Sequence, residues 1–260
     1  MSTATLQRLS DEVRYALSAW MYFTRVPLPA SWARWVGFEA RYMSAAARYF
    51  PIVGALVGAL GAAVYLLALL RFPAGVAVLL SMAATLLITG ALHEDGLADC
   101  CDAFGGAYTR ADTLRIMHDS RIGAFGAIAL VIALALKWQV LAALPSGRVA
   151  WLMIGAHAAS RCNALSLMLN LDYVRSEGRA KPMAQRLGLG AAGFAAVSGL
   201  SWLMWPDWRW GVSGLLILLI LRGFLARSFK RRLGGYTGDC LGMTQQLSEL
   251  TLYLCALAWT

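Results

Sequence analysis

Charge is scarce in this chain. Only 14% of its 260 residues are Asp, Glu, Lys or Arg, against about 25% in an ordinary soluble domain. A disordered chain needs polar and charged residues to stay solvated, so the shortage excludes one. Proline is also sparse, at seven residues, and the glycines follow no three-residue period, which excludes a collagen-like fibre. Cys100, Cys101, Cys162, Cys240 and Cys255 are odd in number and lack paired zinc-ligand spacing, so the chain is neither a disulfide scaffold nor a structural-zinc module. They read as reduced thiols. What the sequence does have is apolar bulk, 59% of the residues with ten Trp among them. An integral membrane protein is the class that remains.

A spanning helix needs about 20 mostly apolar residues, because lipid offers backbone groups no hydrogen-bond partner. Seven runs fit: Phe50 to Leu70, Ala74 to Leu92, Gly123 to Leu144, Val149 to Leu169, Leu187 to Trp205, Trp210 to Phe229, and a short one from Leu247 to Thr260. Pro73, Pro145 and Pro206 punctuate them, and Trp138, Trp151, Trp202, Trp205, Trp208 and Trp210 fall near their proposed edges, where amphipathic rings are favoured. The formal charge of +9 would suggest nucleic acid in a soluble protein. Here the basic residues lie between apolar segments: 18 Lys and Arg fall on one proposed side and three on the other. That bias reads as topology with the N-terminus inside, and no nucleic-acid partner is expected. Met1 to Trp20 is amphipathic and broken by Arg8, Asp11, Glu12 and Arg14, unlike a cleaved signal peptide. With Trp32 to Trp35 it suits an interfacial segment. The expected fold is all-α: a polytopic helical bundle of about seven transmembrane helices with an N-terminal amphipathic segment, forming one membrane-embedded catalytic domain over residues 1–260.

The chemistry is concentrated in one place. Six of the fourteen acidic residues lie between Glu94 and Asp119. The segment His93-Glu94-Asp95-Gly96-Leu97-Ala98-Asp99-Cys100-Cys101-Asp102 steps by four and then three residues, which on a helix puts Asp95, Asp99 and Asp102 within a sector of roughly 60°. Like charges on one face repel, and the poor solvation of a membrane edge raises the cost. A hard divalent cation, Mg²⁺ or Mn²⁺, balances an all-oxygen set better than zinc would. The competing account is a solvated acidic face paired with Arg110, Arg115 and Arg121. Downstream, His118-Asp119-Ser120-Arg121-Ile122-Gly123 adds a further acid and an arginine suited to phosphate. Ser160-Arg161-Cys162-Asn163, Asp172-Tyr173-Val174-Arg175 and Gly235-Tyr236-Thr237-Gly238-Asp239 fall on the same proposed side. Arg161, in or near a span, needs a partner or an anionic substrate. Lone His157 reads as a hydrogen-bonded span residue. Arg175, Arg179, Lys181 and Arg186 read as a topogenic loop, as do Arg227, Lys230, Arg231 and Arg232.

The arrangement resembles the cobalamin synthase family, the membrane adenosylcobinamide-GDP ribazoletransferases. The likeness rests on Tyr22-Phe23-Thr24-Arg25-Val26-Pro27-Leu28-Pro29, Tyr49-Phe50-Pro51-Ile52-Val53-Gly54, the His93 to Asp102 segment, His118 to Gly123 and Tyr236-Thr237-Gly238-Asp239, in the family's order over nearly the full chain. Ala103 and the Cys100-Cys101 pair depart from the usual pattern without removing a carboxylate. The resemblance implies that adenosylcobinamide-GDP is joined to α-ribazole, or its 5′-phosphate, releasing GMP at the end of cobalamin biosynthesis, in a bacterial inner membrane with the site facing the cytoplasm. It implies Mg²⁺ held by Glu94, Asp95, Asp99 and Asp102. His93 and Asp119 join the catalytic set with those aspartates, and Arg121, Arg161 and Asp239 bind substrate. A homo-oligomer is compatible with this reading. Two alternatives differ in their acids. A CDP-alcohol phosphotransferase spaces them more widely, and a cation-coupled transporter places them at mid-membrane on several spans.

Overall fold

The computed structural model describes residues 3–37, 39–175, 180–183, 186–205 and 207–260. Arg179 and Pro206 therefore lie outside the described residues. Within these stretches the secondary structure is helical, and the one extended pairing is an isolated parallel bridge between Tyr173 and Tyr236. The helices are α1 (Thr3–Phe23), α2 (Ala30–Val36), α3 (Ala40–Ala46), α4 (Phe50–Leu69), α5 (Ala74–Thr89), α6 (Leu92–Gly106), α7 (Arg110–Ile116), α8 (Ala124–Ala143), α9 (Ser146–Ser166), α10 (Leu189–Leu200), α11 (Trp208–Leu233) and α12 (Gly238–Leu257). Pro73 and Pro145 directly precede α5 and α9, where the chain is not yet committed to the helical hydrogen-bond ladder.

Among the described residues three helical runs are long and apolar enough to cross a membrane: Tyr42–Leu69, Ala124–Ala143 and Trp208–Leu233. The bent pair α5 and α6 makes a fourth if it counts as one span. This corrects the expectation of seven. The sequence windows counted apolar residues without knowing which helices would be shielded by others. Helix α9 carries His157, Ser160, Arg161 and Asn163, and α12 carries Gln245, Gln246, Ser248 and Glu249, all buried. Their polar residues face protein rather than lipid, so their composition resembles a soluble core. Helix α10 stops at Leu200 and continues only as a 3-10 turn to Met204. Trp210, near the start of α11, is buried and its Nε1 donates to the Leu252 carbonyl at 3.1 Å, whereas Trp151, Trp202, Trp205 and Trp208 are exposed.

Close backbone approach sets the centre of the bundle. Helix α4 lies along α9, and a Cβ on Gly58 would stand 2.7 Å from the Met153 carbonyl oxygen. One turn earlier, a Cβ on Gly54 would collide with the His157 carbonyl and the Arg161 side chain. This small-xxx-small spacing lets two helices pack by van der Waals contact where lipid supplies no hydrophobic drive. A second determinant is the corner between α5 and α6, bent by 87°. Gly90 and Ala91 both occupy left-handed backbone, at φ 65° and 53°. The Gly90 N–H donates to the Leu86 carbonyl and closes α5, while Ala91 carries a steric cost of about 1–2 kcal/mol. The acidic segment thus leaves the direction of α5 and runs as a separate helix across the end of the bundle.

A polar hub lies between α6, α8, α9 and α12. Glu249, 1% exposed, pairs with Lys137 Nζ at 2.9 Å and His157 Nε2 at 3.3 Å, and accepts from Gln245 Nε2 at 2.6 Å. Gln246 Nε2 bonds both Gln245 Oε1 and Glu94 Oε1 at 2.8 Å, which ties α6 to α12. An unpaired charge in such an interior is far costlier than the pair. Replacing Glu249 with Leu is expected to cost about 3–5 kcal/mol by stranding Lys137, and the double variant Glu249→Leu, Lys137→Met should regain most of it. Thermal unfolding in detergent checks this, and a double variant no more stable than the single would contradict it.

Candidate active site

The acidic segment folds as α6, so the three aspartates do lie along one helix. Their surroundings then separate them. Asp95 is exposed, Asp99 is half-buried and Asp102 is buried. Asp102 turns toward the start of α8, where its Oδ2 accepts from the Gly123 N–H at 2.7 Å and its Oδ1 from the Gly126 N–H at 2.8 Å. A side chain at either glycine would run into that carboxylate. The first N–H groups of a helix have no intrahelical acceptor and carry the positive end of its dipole, so Asp102 serves as the anionic cap of α8. Both of its oxygens are engaged there.

Asp95 and Asp99 instead approach α12. Gly96 permits it: a Cβ there would stand 2.9 Å from the Asp239 carbonyl oxygen and 3.2 Å from the Gly242 Cα. Asp239 sits in the first turn of α12, whose N-terminus is capped by Thr237 Oγ1 accepting from the Cys240 N–H at 3.3 Å. Asp95, Asp99 and Asp239 are close enough to repel one another electrostatically. The cation facing them is Arg175, whose Nη2 donates to Asp239 Oδ2 at 2.7 Å and to the Met117 carbonyl at 2.9 Å. It is placed by the short extended pairing: the Val174 N–H donates to Tyr236 O at 3.0 Å and the Tyr236 N–H to Asp172 O at 2.9 Å. Two connecting segments far apart in sequence are thereby laid beside each other at the mouth of the acidic cluster.

A cavity of about 240 Å³ opens beside this cluster. Asp95, Asp239, Arg175 and His93 line its polar part, and Tyr22, Phe23, Phe50, Met168, Tyr173, Met183 and Tyr236 line the rest. Phe23 stacks on Phe50 at 3.8 Å between centroids, and Phe50 on His93 at 5.6 Å. His93 Nε2 is buried without a hydrogen-bond partner among the described residues. Other expected site residues lie elsewhere. Glu94 is buried in the polar hub, bonded by Gln246. Arg161, 1% exposed, donates to the His157 carbonyl at 2.9 Å, contacts His157 Nδ1 at 3.1 Å and lies over the Phe50 ring. It does not line the cavity. It is buried among the bundle helices, with its hydrogen bonds made to His157 of α9. His157 is hydrogen-bonded, as expected.

Asp119 and Arg121 form an exposed ion pair on the connection between α7 and α8, with Arg121 Nη2 donating to Asp119 Oδ2 at 2.8 Å. The Arg121 hydrogen bonds hold the Asp119 carboxyl down at about 2, below the usual value of about 3.9. Asp119 therefore stays ionised throughout the neutral range, and the pair is lost only as pH falls toward that lowered value. Neither residue lines the cavity. Arg175 was passed over as a topogenic residue, and Tyr22, Phe23 and Phe50 carry no chemical signal alone. Only their inclusion in the motifs that open α2's approach and α4 pointed to them.

Carboxylate oxygens at this density suit a hard cation. Among the described residues, however, no group of three His, Cys, Asp or Glu side chains converges in a way that would hold a metal ion. The acids gather without closing around a point.

Residues 15–258 match the family described as cobalamin-5-phosphate synthase. The chain is 56% identical over 241 residues to the adenosylcobinamide-GDP ribazoletransferase of Ralstonia pickettii (strain 12J), covering 92% of this chain and 93% of that protein. It is 55% identical over 243 residues to the enzyme of that name from Ralstonia nicotianae, with 92% and 93% covered. With the one from Shewanella sp. (strain W3-18-1) it shares 43% over 251 residues, covering 95% and 94%. No solved structure matches the chain.

The cap role of Asp102 is open to measurement. Asp102→Ala should lower thermal stability by about 0.5–2 kcal/mol, the usual worth of an N-cap, and Asp102→Asn, which keeps one of two acceptors, should fall between. An alanine variant as stable as the parent would contradict the cap.

Proposed function

The chain belongs to the cobalamin-5-phosphate synthase family, and from that premise we propose that it joins adenosylcobinamide-GDP to α-ribazole or α-ribazole 5′-phosphate. The products are adenosylcobalamin, or its 5′-phosphate, and GMP. The observation that carries the reading is a cavity lined by Asp95, Asp239 and Arg175, with Asp99 close enough to feel the charge of all three. Attack on a diphosphate brings anionic oxygens together and needs both charge neutralisation and alignment.

In this reading a ribose hydroxyl of α-ribazole bonds to the phosphorus on the corrinoid side of the diphosphate. The bond from that phosphorus to the bridging oxygen of GMP breaks, and the hydroxyl proton passes to His93, which lines the cavity and whose Nε2 has no hydrogen-bond partner among the described residues. Asp95, Asp99 and Asp239 do not close a metal site among the described residues; Mg²⁺ entering with the diphosphate would be held by them only in part and would supply charge neutralisation. Arg175 leaves Asp239 to donate to the diphosphate, a planar fork suited to such oxygens. Asp102 ties α6 to the start of α8, and Glu94 ties it to α12 through Gln246. A bacterial inner membrane with the site toward the cytoplasm belongs to this proposal through the family likeness alone. The close spacing of Asp95, Asp99 and Asp102 favours this chemistry over CDP-alcohol transfer.

Purified protein in detergent, given adenosylcobinamide-GDP and α-ribazole with and without Mg²⁺, should yield a corrinoid product and GMP only when the metal is present. Asp95→Ala and Asp99→Ala should each abolish GMP release while the protein still inserts into membranes. Undiminished turnover in either variant would refute that residue's role.

A further inference from the structure

The two substrates of the proposed reaction differ in bulk and polarity, and the cavity discriminates between them. We infer that the cavity between Phe23, Phe50, Met168, Met183 and Tyr236 is the binding site for the neutral benzimidazole nucleoside, the nucleophile, and that the corrinoid-GDP meets it from outside at the Asp95–Asp239–Arg175 rim. This rests on the ribazole-transfer reading.

Size comes first. A space of about 240 Å³ is just under the range of about 300–1,000 Å³ usual for drug-sized ligands. It suits a bicyclic base with its pentose, and a corrin macrocycle is several times larger. Polarity comes second. The walls away from the rim are aromatic rings and methionines, with Phe23 stacked on Phe50 and Tyr173 set edge-on to Tyr236 at 5.5 Å. Such walls favour a flat apolar ring, by offset stacking and by contact with polarizable sulfur. A guanine buried there would leave several donors and acceptors unpaired, each at a penalty. A dimethylbenzimidazole joined to ribose presents a single free ring nitrogen, an acceptor. Tyr236 matches that need: its hydroxyl is buried without a partner among the described residues, and the residue lines the cavity. Charge comes third. The polar rim carries two lining carboxylates against one arginine, so an anionic diphosphate has no reason to pass it into the apolar part, whereas ribose hydroxyls can donate to those carboxylates. The nucleoside seated this way presents its sugar to the rim, where the phosphorus must arrive.

Met183→Trp fills the apolar part with a bulky ring. In steady-state assays of the full chain it should raise KM for α-ribazole by about tenfold or more and leave KM for adenosylcobinamide-GDP within about twofold. Should that variant not be recovered in membranes, Leu165→Phe narrows the same space with the same expected split. On the unsubstituted protein, labelled α-ribazole should bind without the second substrate and be displaced by free 5,6-dimethylbenzimidazole but not by guanosine. An unchanged KM for α-ribazole, a rise confined to adenosylcobinamide-GDP, or displacement by guanosine would overturn the assignment. Failure of the unsubstituted enzyme to make GMP at all would instead sink the ribazole-transfer reading, so the two failures are distinguishable.

Discussion

A carboxylate buried among helices is tolerable only with its cation beside it, and the architecture is organised around one such pairing. Glu249 on α12 meets Lys137 of α8 and His157 of α9, and through Gln245 and Gln246 the same polar cluster reaches Glu94 on α6. Four helices share one electrostatic account. Because each charge would be far costlier alone than in company, none of these helices can rotate or slide without disturbing the others. Lipid gives little hydrophobic reason for helices to associate, which makes a polar hub of this kind a principal source of register.

That register is what the cavity needs. Helix α6 carries Glu94 on the inward side and Asp95 on the outward side, so anchoring the first aims the second. The left-handed pair at Gly90 and Ala91 turns α6 across the end of the bundle, Asp102 fastens its far end to α8, and Gly96 lets it close on Asp239. Acids that repel one another are thereby held near each other by contacts made elsewhere on the same helix. The repulsion in that assembly is offset by Arg175, paired with Asp239.

The sequence carried a good deal of this. Its shortage of charge announced a membrane protein, the four-then-three spacing of Asp95, Asp99 and Asp102 announced an acidic helix, and motifs from Tyr22 to Asp239 announced the family. It overcounted what crosses the bilayer wherever a helix was apolar on average yet polar inside, as in α9 and α12. Arg161 illustrates the difficulty: a charged residue near a span end looks the same in sequence whether it faces an aqueous edge or, as here, the Phe50 ring and the His157 backbone.

Composition and local spacing were enough to indicate helices and a membrane setting, because those depend on solvent preference and on a helical period that each segment carries within itself. Which acids share a cavity was decided only by tertiary structure. Asp102 turns both oxygens to the start of α8, while Asp95 and Asp239, far apart in sequence, line one cavity. Such pairings are set by close backbone contact at Gly96 and by the partners each carboxylate finds on a neighbouring helix, and neither leaves a periodic trace along the chain.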